Sequence, residues 1–248
     1  MKFLLLGGGE RHQALCRALI HRGAEAVYLD DEPALLAASA ADVVVFPIPT
    51  PPQILGLDIN QVIAHCQGFS PRLVGAWSTP PPPGCENLLA STDFKQANAI
   101  PTAEGALAKV LCESNRTYHR SQCLITGYGA LGQALCHRLT AYGAKVFVWT
   151  RRDVTLPGGV LDFAFGSAAP AFDFIFNTVP AQVLSPQLLS VLPAHCRLCE
   201  LASPPYGFDH EAARAMGLGV QVLPGVPRMF PHSAAELTAE YLLRIPPD

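Results

Sequence analysis

Short apolar runs along the chain alternate with stretches whose apolar residues recur every three or four positions, and glycine or proline punctuates the changes between them. The first pattern reads as buried parallel strands and the second as amphipathic helices. Residues 123–126 form such a run and lead straight into Gly127-Tyr128-Gly129-Ala130-Leu131-Gly132, after which Leu131, Leu135 and Leu139 set one apolar stripe on a helix. Gly143 suits the end of that helix, and a second strand is expected over residues 145–149. Residues 1–31 repeat the plan, with a strand at 3–6, Gly7-Gly8-Gly9, a helix through Leu15 and Leu19, Gly23, and a strand at 26–29.

The two segments match at an offset of 120, Gly7 and Gly9 falling on Gly127 and Gly129. Gln13-Ala14-Leu15-Cys16 mirrors Gln133-Ala134-Leu135-Cys136, and residues 42–49 resemble residues 173–180. The chain therefore reads as α/β, with two Rossmann-like, doubly wound parallel-sheet domains built on one plan. The first is expected to cover 1–97 with a C-terminal helix, 232–248, returning to it, and the second 98–231. His12 stands where the second copy has Gly132, although Asp30-Asp31 at the end of the second strand would suit a ribose diol.

Further strands are expected at 73–77, 88–91, 160–165, 174–176, 198–202 and 220–223, the residues between 152 and 160 being too few for a helical crossover. The stretch 98–105 is expected to open a helix, with Pro101 at its first helical position and Glu104 in its first turn, and Ser233 with Glu236 reads as a capping box for the last helix.

Composition narrows the function. Half of the 248 residues are apolar and 15% are charged, but no apolar run is long enough to span a bilayer. The opening strand lacks the features of a signal peptide, so a cytoplasmic protein is expected. A net charge of −3 without a basic cluster argues against nucleic acid. Of the eight cysteines, Cys196 and Cys199 are spaced as C-x-x-C, but on a strand they would face opposite ways; no metal site is expected.

The glycine pattern between strand and helix is a dinucleotide fingerprint, holding a diphosphate at a helix N-terminus. After the second strand a reader of the NAD ribose would carry a carboxylate; here Thr150-Arg151-Arg152 suits the 2′-phosphate of NADP rather than NAD. The strand-end corner Asn177-Thr178-Val179-Pro180 is expected to border the same cofactor, because ligands of open parallel sheets lie at the carboxyl ends of strands.

Taken together, Asn98-Ala99-Ile100-Pro101-Thr102-Ala103-Glu104-Gly105, the fingerprint, Asn177-Thr178-Val179-Pro180, Leu201-Ala202-Ser203, and Pro224-Gly225 with Pro231-His232-Ser233-Ala234-Ala235 resemble the A subunits of dipicolinate synthase. The likeness covers roughly residues 90–245. It departs from that pattern at Pro204-Pro205-Tyr206-Gly207, where a basic residue and glycines are usual, and at His232, where Lys is common. The resemblance implies oxidation of dihydrodipicolinate to pyridine-2,6-dicarboxylate with NADP, in the mother-cell cytoplasm of a sporulating bacterium. It also implies a partner, the flavoprotein-like B subunit. Homo-oligomerisation is left open.

Aromatising a dihydropyridine needs a hydride acceptor, a proton acceptor and cations or donors for a dianion. Arg228, Asn98, Thr102 and Ser203 are the expected substrate contacts, in a cleft facing the nicotinamide, with His232 as proton acceptor and Arg228 engaging a carboxylate. Two other readings fit less well: a relative of the 2-hydroxy-acid dehydrogenases, for which no Glu-His relay is evident, and a cofactor-binding subunit without activity of its own.

Overall fold

The computed structural model describes residues 1–36, 40–70, 72–78, 80–164 and 170–244. The chain divides into two compact units, Met1–Asn98 with Pro227–Asp248, and Ala99–Val226. The first begins β1 (Lys2–Leu6), α1 (Gly9–His21), β2 (Glu25–Leu29), α2 (Glu32–Leu36) and β3 (Val43–Val45). An antiparallel pair, β4 (Gln53–Ile54) and β5 (Leu57–Asp58), then precedes α3 (Ile59–Gln67), β6 (Leu73–Gly75) and β7 (Cys85–Asn87). The five main strands are all parallel, in the order β2-β1-β3-β6-β7. Strand alternation sends Phe3 and Leu5 to the side of α1, and Leu4 and Leu6 to the side of α2 and α3.

A long helix, α4 (Thr92–Cys112), carries the division between the units, with Phe94 in the first core and Ala103, Leu107 and Val110 in the second. The second unit continues as β8 (Gln122–Thr126), α5 (Ala130–Ala141), β9 (Lys145–Trp149), β10 (Leu161–Asp162) and β11 (Phe174–Asn177). It closes with α6 (Pro186–Ser190), β12 (Arg197–Glu200), α7 (His210–Ala215) and β13 (Gly219–Val222). Its parallel sheet runs β10-β9-β8-β11-β12-β13. Ile125, Phe174 and Phe176 pack with α4 and α5 on one face, Leu124, Ile175 and Leu198 with α6 and α7 on the other. Both sheets are thus doubly wound, as the apolar pattern indicated. Cys196 and Cys199 fall in the cores of opposite faces, and burial pushes the Cys196 thiol up to about 12.

The chain returns to the first unit as α8 (Pro231–Arg244), which lays Ala235, Ala239 and Leu242 against Leu15 and Leu19 of α1. Arg22 pairs with Glu236 and Glu240 beside this seam. No helix among the described residues is long and apolar enough to cross a membrane.

Four local expectations are corrected. The helix expected to have Pro101 as its first residue starts at Thr92, because the Ser91 hydroxyl accepts from the Phe94 N–H and caps it; Pro101 lies inside, leaving the Ala97 carbonyl without its usual helical donor. Residues 88–90 form a 3-10 turn rather than a strand, since the Asn87 side chain accepts from the Leu89 N–H; the strand is β7, just before it. The last helix opens at Pro231, whose fixed φ and missing N–H suit a first turn, so Ser233 lies inside the helix and Glu236 pairs with Arg22 instead of forming a capping box. Of the strand expected at 160–165, only Leu161–Asp162 is paired, and Phe165 lies outside the described residues.

Candidate active site

The fingerprint joins β8 to α5. Gly127 has φ +89°, and its N–H donates to the Trp149 carbonyl at 2.7 Å, closing the turn. A Cβ there would lie 2.5 Å from the Thr178 hydroxyl, and one at Gly132 would collide with the Gly127 carbonyl oxygen. Both glycines are therefore required by the fold itself. Gly129 differs: its backbone is extended (φ −82°, ψ −167°), and a Cβ would meet nothing within 4 Å. Neither strain nor packing calls for glycine there. The space lies where α5 begins, and no side chain caps that helix. Free amides, the positive end of the helix dipole and room for close approach are what a diphosphate needs.

Past β9, the Thr150 hydroxyl accepts from the Arg152 N–H at 3.2 Å, and the Arg152 guanidinium folds back to donate to the Tyr128 carbonyl at 3.2 Å. Both Arg151 and Arg152 are exposed. Ala130 and Leu131 form the first turn of α5.

The corner after β11 is held by a buried polar knot. Thr126 donates to the Asn177 carboxamide oxygen, whose own NH2 group donates to Glu200 and to the Val179 carbonyl. Glu200 is wholly buried and also accepts from the N–H groups of Ala202 and Gly207, at 3.0 and 2.8 Å. Asn177 thus spends its side chain shaping the corner, and Thr178, Val179 and Pro180 form the surface beside Gly127. The sequence reading missed Glu200. Its signal was a carboxylate in a run otherwise reading as a two-sided buried strand.

The first copy closes its turn identically, the Gly7 N–H donating to the Leu29 carbonyl at 2.7 Å. There the likeness stops. His12 is fully buried, its ring 2.7 Å from where a Gly8 Cβ would be, and neither ring nitrogen has a well-formed hydrogen bond among the described residues. Burial, with the Arg11 guanidinium, pushes its pKa down to about 3, the Leu6 carbonyl opposing. Asp31 caps α2, accepting from the Ala34 N–H at 2.7 Å.

Beside His12, Arg11 is 7% exposed and lines a cavity of about 440 Å³ at the carboxyl ends of β1 and β3. Burial, and secondarily the nearby Arg228, lower its pKa to about 10, so it stays charged at neutral pH. Its NH2 donates to the side-chain oxygens of Asn98 (3.1 Å) and Thr238 (3.4 Å). Arg228 lines the same cavity. His232, on the first turn of α8, is exposed and lies 3.9 Å from Glu10, another lining residue. Asn98 and Arg228 are thereby gathered around one residue, Arg11, that the sequence reading took for part of an ordinary helix, and His232 lies beside Glu10. Thr102 lies on α4 one turn beyond Asn98, and Ser203 is exposed just after β12; both belong to the second unit.

Two doubly wound parallel sheets, the second in the order of a dinucleotide-binding domain, define a two-domain, Rossmann-like dehydrogenase fold. No family model matches the chain. The A subunit of dipicolinate synthase from Bacillus subtilis (strain 168) is 28% identical over 166 residues, 64% of this chain and 56% of that protein, so the match spans about half of the relative's length. The crystal structure of the dipicolinate synthase A chain from Bacillus subtilis superposes with a TM-score of 0.78 at 21% identity, covering 98% of this chain and 94% of that one. A D-isomer specific 2-hydroxyacid dehydrogenase from Lactobacillus delbrueckii ssp. bulgaricus, in its NAD-complexed form, reaches 0.60 at 12% identity, over 98% and 96%. The resemblance to the dipicolinate synthase A subunits read from the motifs is supported by these matches in sequence and fold.

Proposed function

We propose that the chain is an NADP-dependent oxidoreductase that oxidises dihydrodipicolinate to dipicolinate, as the A subunit of a dipicolinate synthase. The observation that carries this reading is the open space at Gly129, in a fingerprint whose other two glycines the fold accounts for by itself. When bound, a nicotinamide cofactor supplies the hydride acceptor. The amides at the start of α5 hold its diphosphate, and Arg151 and Arg152 take the 2′-phosphate that distinguishes NADP from NAD. Arg228, Thr102 and Ser203 neutralise and orient the substrate's carboxylates, Asn98 acting through the guanidinium it fixes. The proton that leaves with the hydride is taken at His232, whose Nε2 lies 3.9 Å from Glu10. The partner is a flavoprotein-like B subunit, in the mother-cell cytoplasm during sporulation.

The dehydrogenase-like fold favours one competing reading, oxidation of a 2-hydroxy acid. Of the Glu-His pairs such a relay would need, His210–Glu200 is locked in the buried knot, and His232–Glu10 is exposed at 3.9 Å. Incubation of the purified chain with NADP and either dihydrodipicolinate or 2-hydroxy acids, with and without the B subunit, separates the readings at the nicotinamide absorbance. Reduction of NADP with dihydrodipicolinate is expected; turnover of 2-hydroxy acids alone would replace the proposal.

A further inference from the structure

We infer that the cavity of the first unit is a binding site for a small dicarboxylate. In it Arg11 is the buried carboxylate clamp, Arg228 the second cation, and Asn98 a positioning residue that aims Arg11.

The first argument is electrostatic. A buried guanidinium normally has a carboxylate counterion, because removing an ion from water costs several kcal/mol. Arg11 has none among the described residues: its bonds go to the neutral oxygens of Asn98 and Thr238, and its Nε is buried without a partner. Arg228 adds a second positive charge facing the same space and disfavours the charge on Arg11. An anion between them relieves both the desolvation and the repulsion. Among the described residues the one carboxylate on the lining, Glu10, lies near His232 instead.

Topology gives the second argument. From β1 the chain winds to β2 on one side, then crosses to β3 on the other, so the loops leaving β1 and β3 diverge. Ligands of open parallel sheets bind at such a switch point. Gly7 and Gly8 after β1, and Pro47 to Pro49 after β3, line the cavity. His12 fills the room beneath the α1 turn that close helix packing gives a nucleotide-binding loop, so this copy of the fold offers two guanidiniums in place of a phosphate cradle.

The third argument is the wall. Pro47, Ile48, Ile54 and Leu55 make it largely apolar, which strengthens a charge pair and suits a flat ring between two carboxylates. The volume falls in the range of small-molecule sites. Guanidiniums pair with carboxylate and phosphate alike, so preference for a flat dicarboxylate rests on the apolar wall between the two cations; choosing pyridine-2,6-dicarboxylate as the probe rests on the function proposed above.

Calorimetric titration of the full chain, with and without saturating NADPH, tests the site using pyridine-2,6-dicarboxylate, pyridine-2-carboxylate and inorganic phosphate. The dicarboxylate should bind, the monocarboxylate about tenfold or more weakly, and phosphate should not compete. Asn98→Asp places a fixed carboxylate on Arg11; it should keep or raise the melting temperature, leave NADPH binding unchanged, and weaken the dicarboxylate about tenfold or more. Arg228→Gln, at an exposed position, should give a similar loss in a normally folded protein. Unchanged dicarboxylate affinity in both variants, no dicarboxylate binding at all, or equal binding of phosphate overturns the inference. Failure of the proposed function looks different: the dicarboxylate binds and the variants lose it, but dihydrodipicolinate and NADP give no turnover.

Discussion

Two loops in this protein start from one design and end with different chemistry. In each, a strand enters a glycine turn whose N–H is caught by the carbonyl at the end of the next strand, and a helix follows. In the second unit, Gly132 lets α5 press against the turn, while Gly129 keeps an extended backbone and open space. In the first, Gly9 is left-handed at φ +60°, and an imidazole fills the room beneath the turn. Arg11 and Leu131 occupy matching positions, so a cation faces a cavity where the other copy has an apolar first-turn residue. A repeated backbone thus makes the same turn twice, and one or two side chains decide what it offers: open space at one, a cation beside a cavity at the other.

The contrast between a fold-imposed and a ligand-imposed glycine breaks most sharply at Gly132 and Gly129. Gly132→Val would drive a branched side chain into the Gly127 carbonyl, so a loss of about 4 kcal/mol or more and abolished cofactor binding are expected, read from urea unfolding and NADPH fluorescence. Gly129→Val should unfold at nearly the unmutated denaturant concentration yet bind NADPH at least about 100-fold more weakly, roughly 3 kcal/mol. Equal effects on folding at the two positions would erase the distinction.

A smaller effect belongs to Arg151 and Arg152, for which the first copy has Asp31 and Glu32. Replacing both with Ala should weaken NADP by about 2 to 4 kcal/mol and leave NAD nearly unaffected, at about 1.5 to 3 per charged hydrogen bond. If the unmutated protein bound NADP and NAD equally, the arginines would have no such role.

The smallest expected effect concerns His12. Its pKa is about 3 in the folded chain against an ordinary 6.5, so between those values the unfolded chain binds more protons. Stability from this group is complete above pH 6.5 and falls as pH drops towards 3, at up to about 1.4 kcal/mol per unit. Between pH 7 and 5 the unmutated chain should therefore lose about 2 kcal/mol more than His12→Leu does. Parallel pH profiles for the two would remove His12 as the cause.

Most of the fold was legible because strands buried on both faces read as unbroken apolar runs, and the glycines mark where each run ends. Residues 123–126 and 145–149 came out as β8 and β9 nearly to the residue. Of the helix boundaries that failed, the start of α4 depends on a single side-chain hydrogen bond: Ser91 reads equally well as the end of a strand until its hydroxyl is seen on the Phe94 N–H. Arg11 was illegible for a related reason. A lone arginine on a helix reads as a solvated side chain, whereas the fold brings Asn98 of α4 and Thr238 of α8 against it. The exchange of Leu131 for Arg11 between matching positions was the available sign. Glu200 was hidden by its neighbours, since a burial pattern says nothing about which donors will meet a carboxylate inside.

Because α8 completes the first unit from beyond the whole of the second, the first unit cannot finish until all the residues between have been made. When Leu15 and Leu19 leave the ribosome, the helix that covers them is some two hundred residues away, roughly 10 to 40 s at ordinary rates of synthesis. The second unit, one uninterrupted run, can close in that interval. The nascent chain therefore passes through a stage with a finished second unit and an open apolar seam on α1, the stage at which chaperones and proteases have their best hold on it.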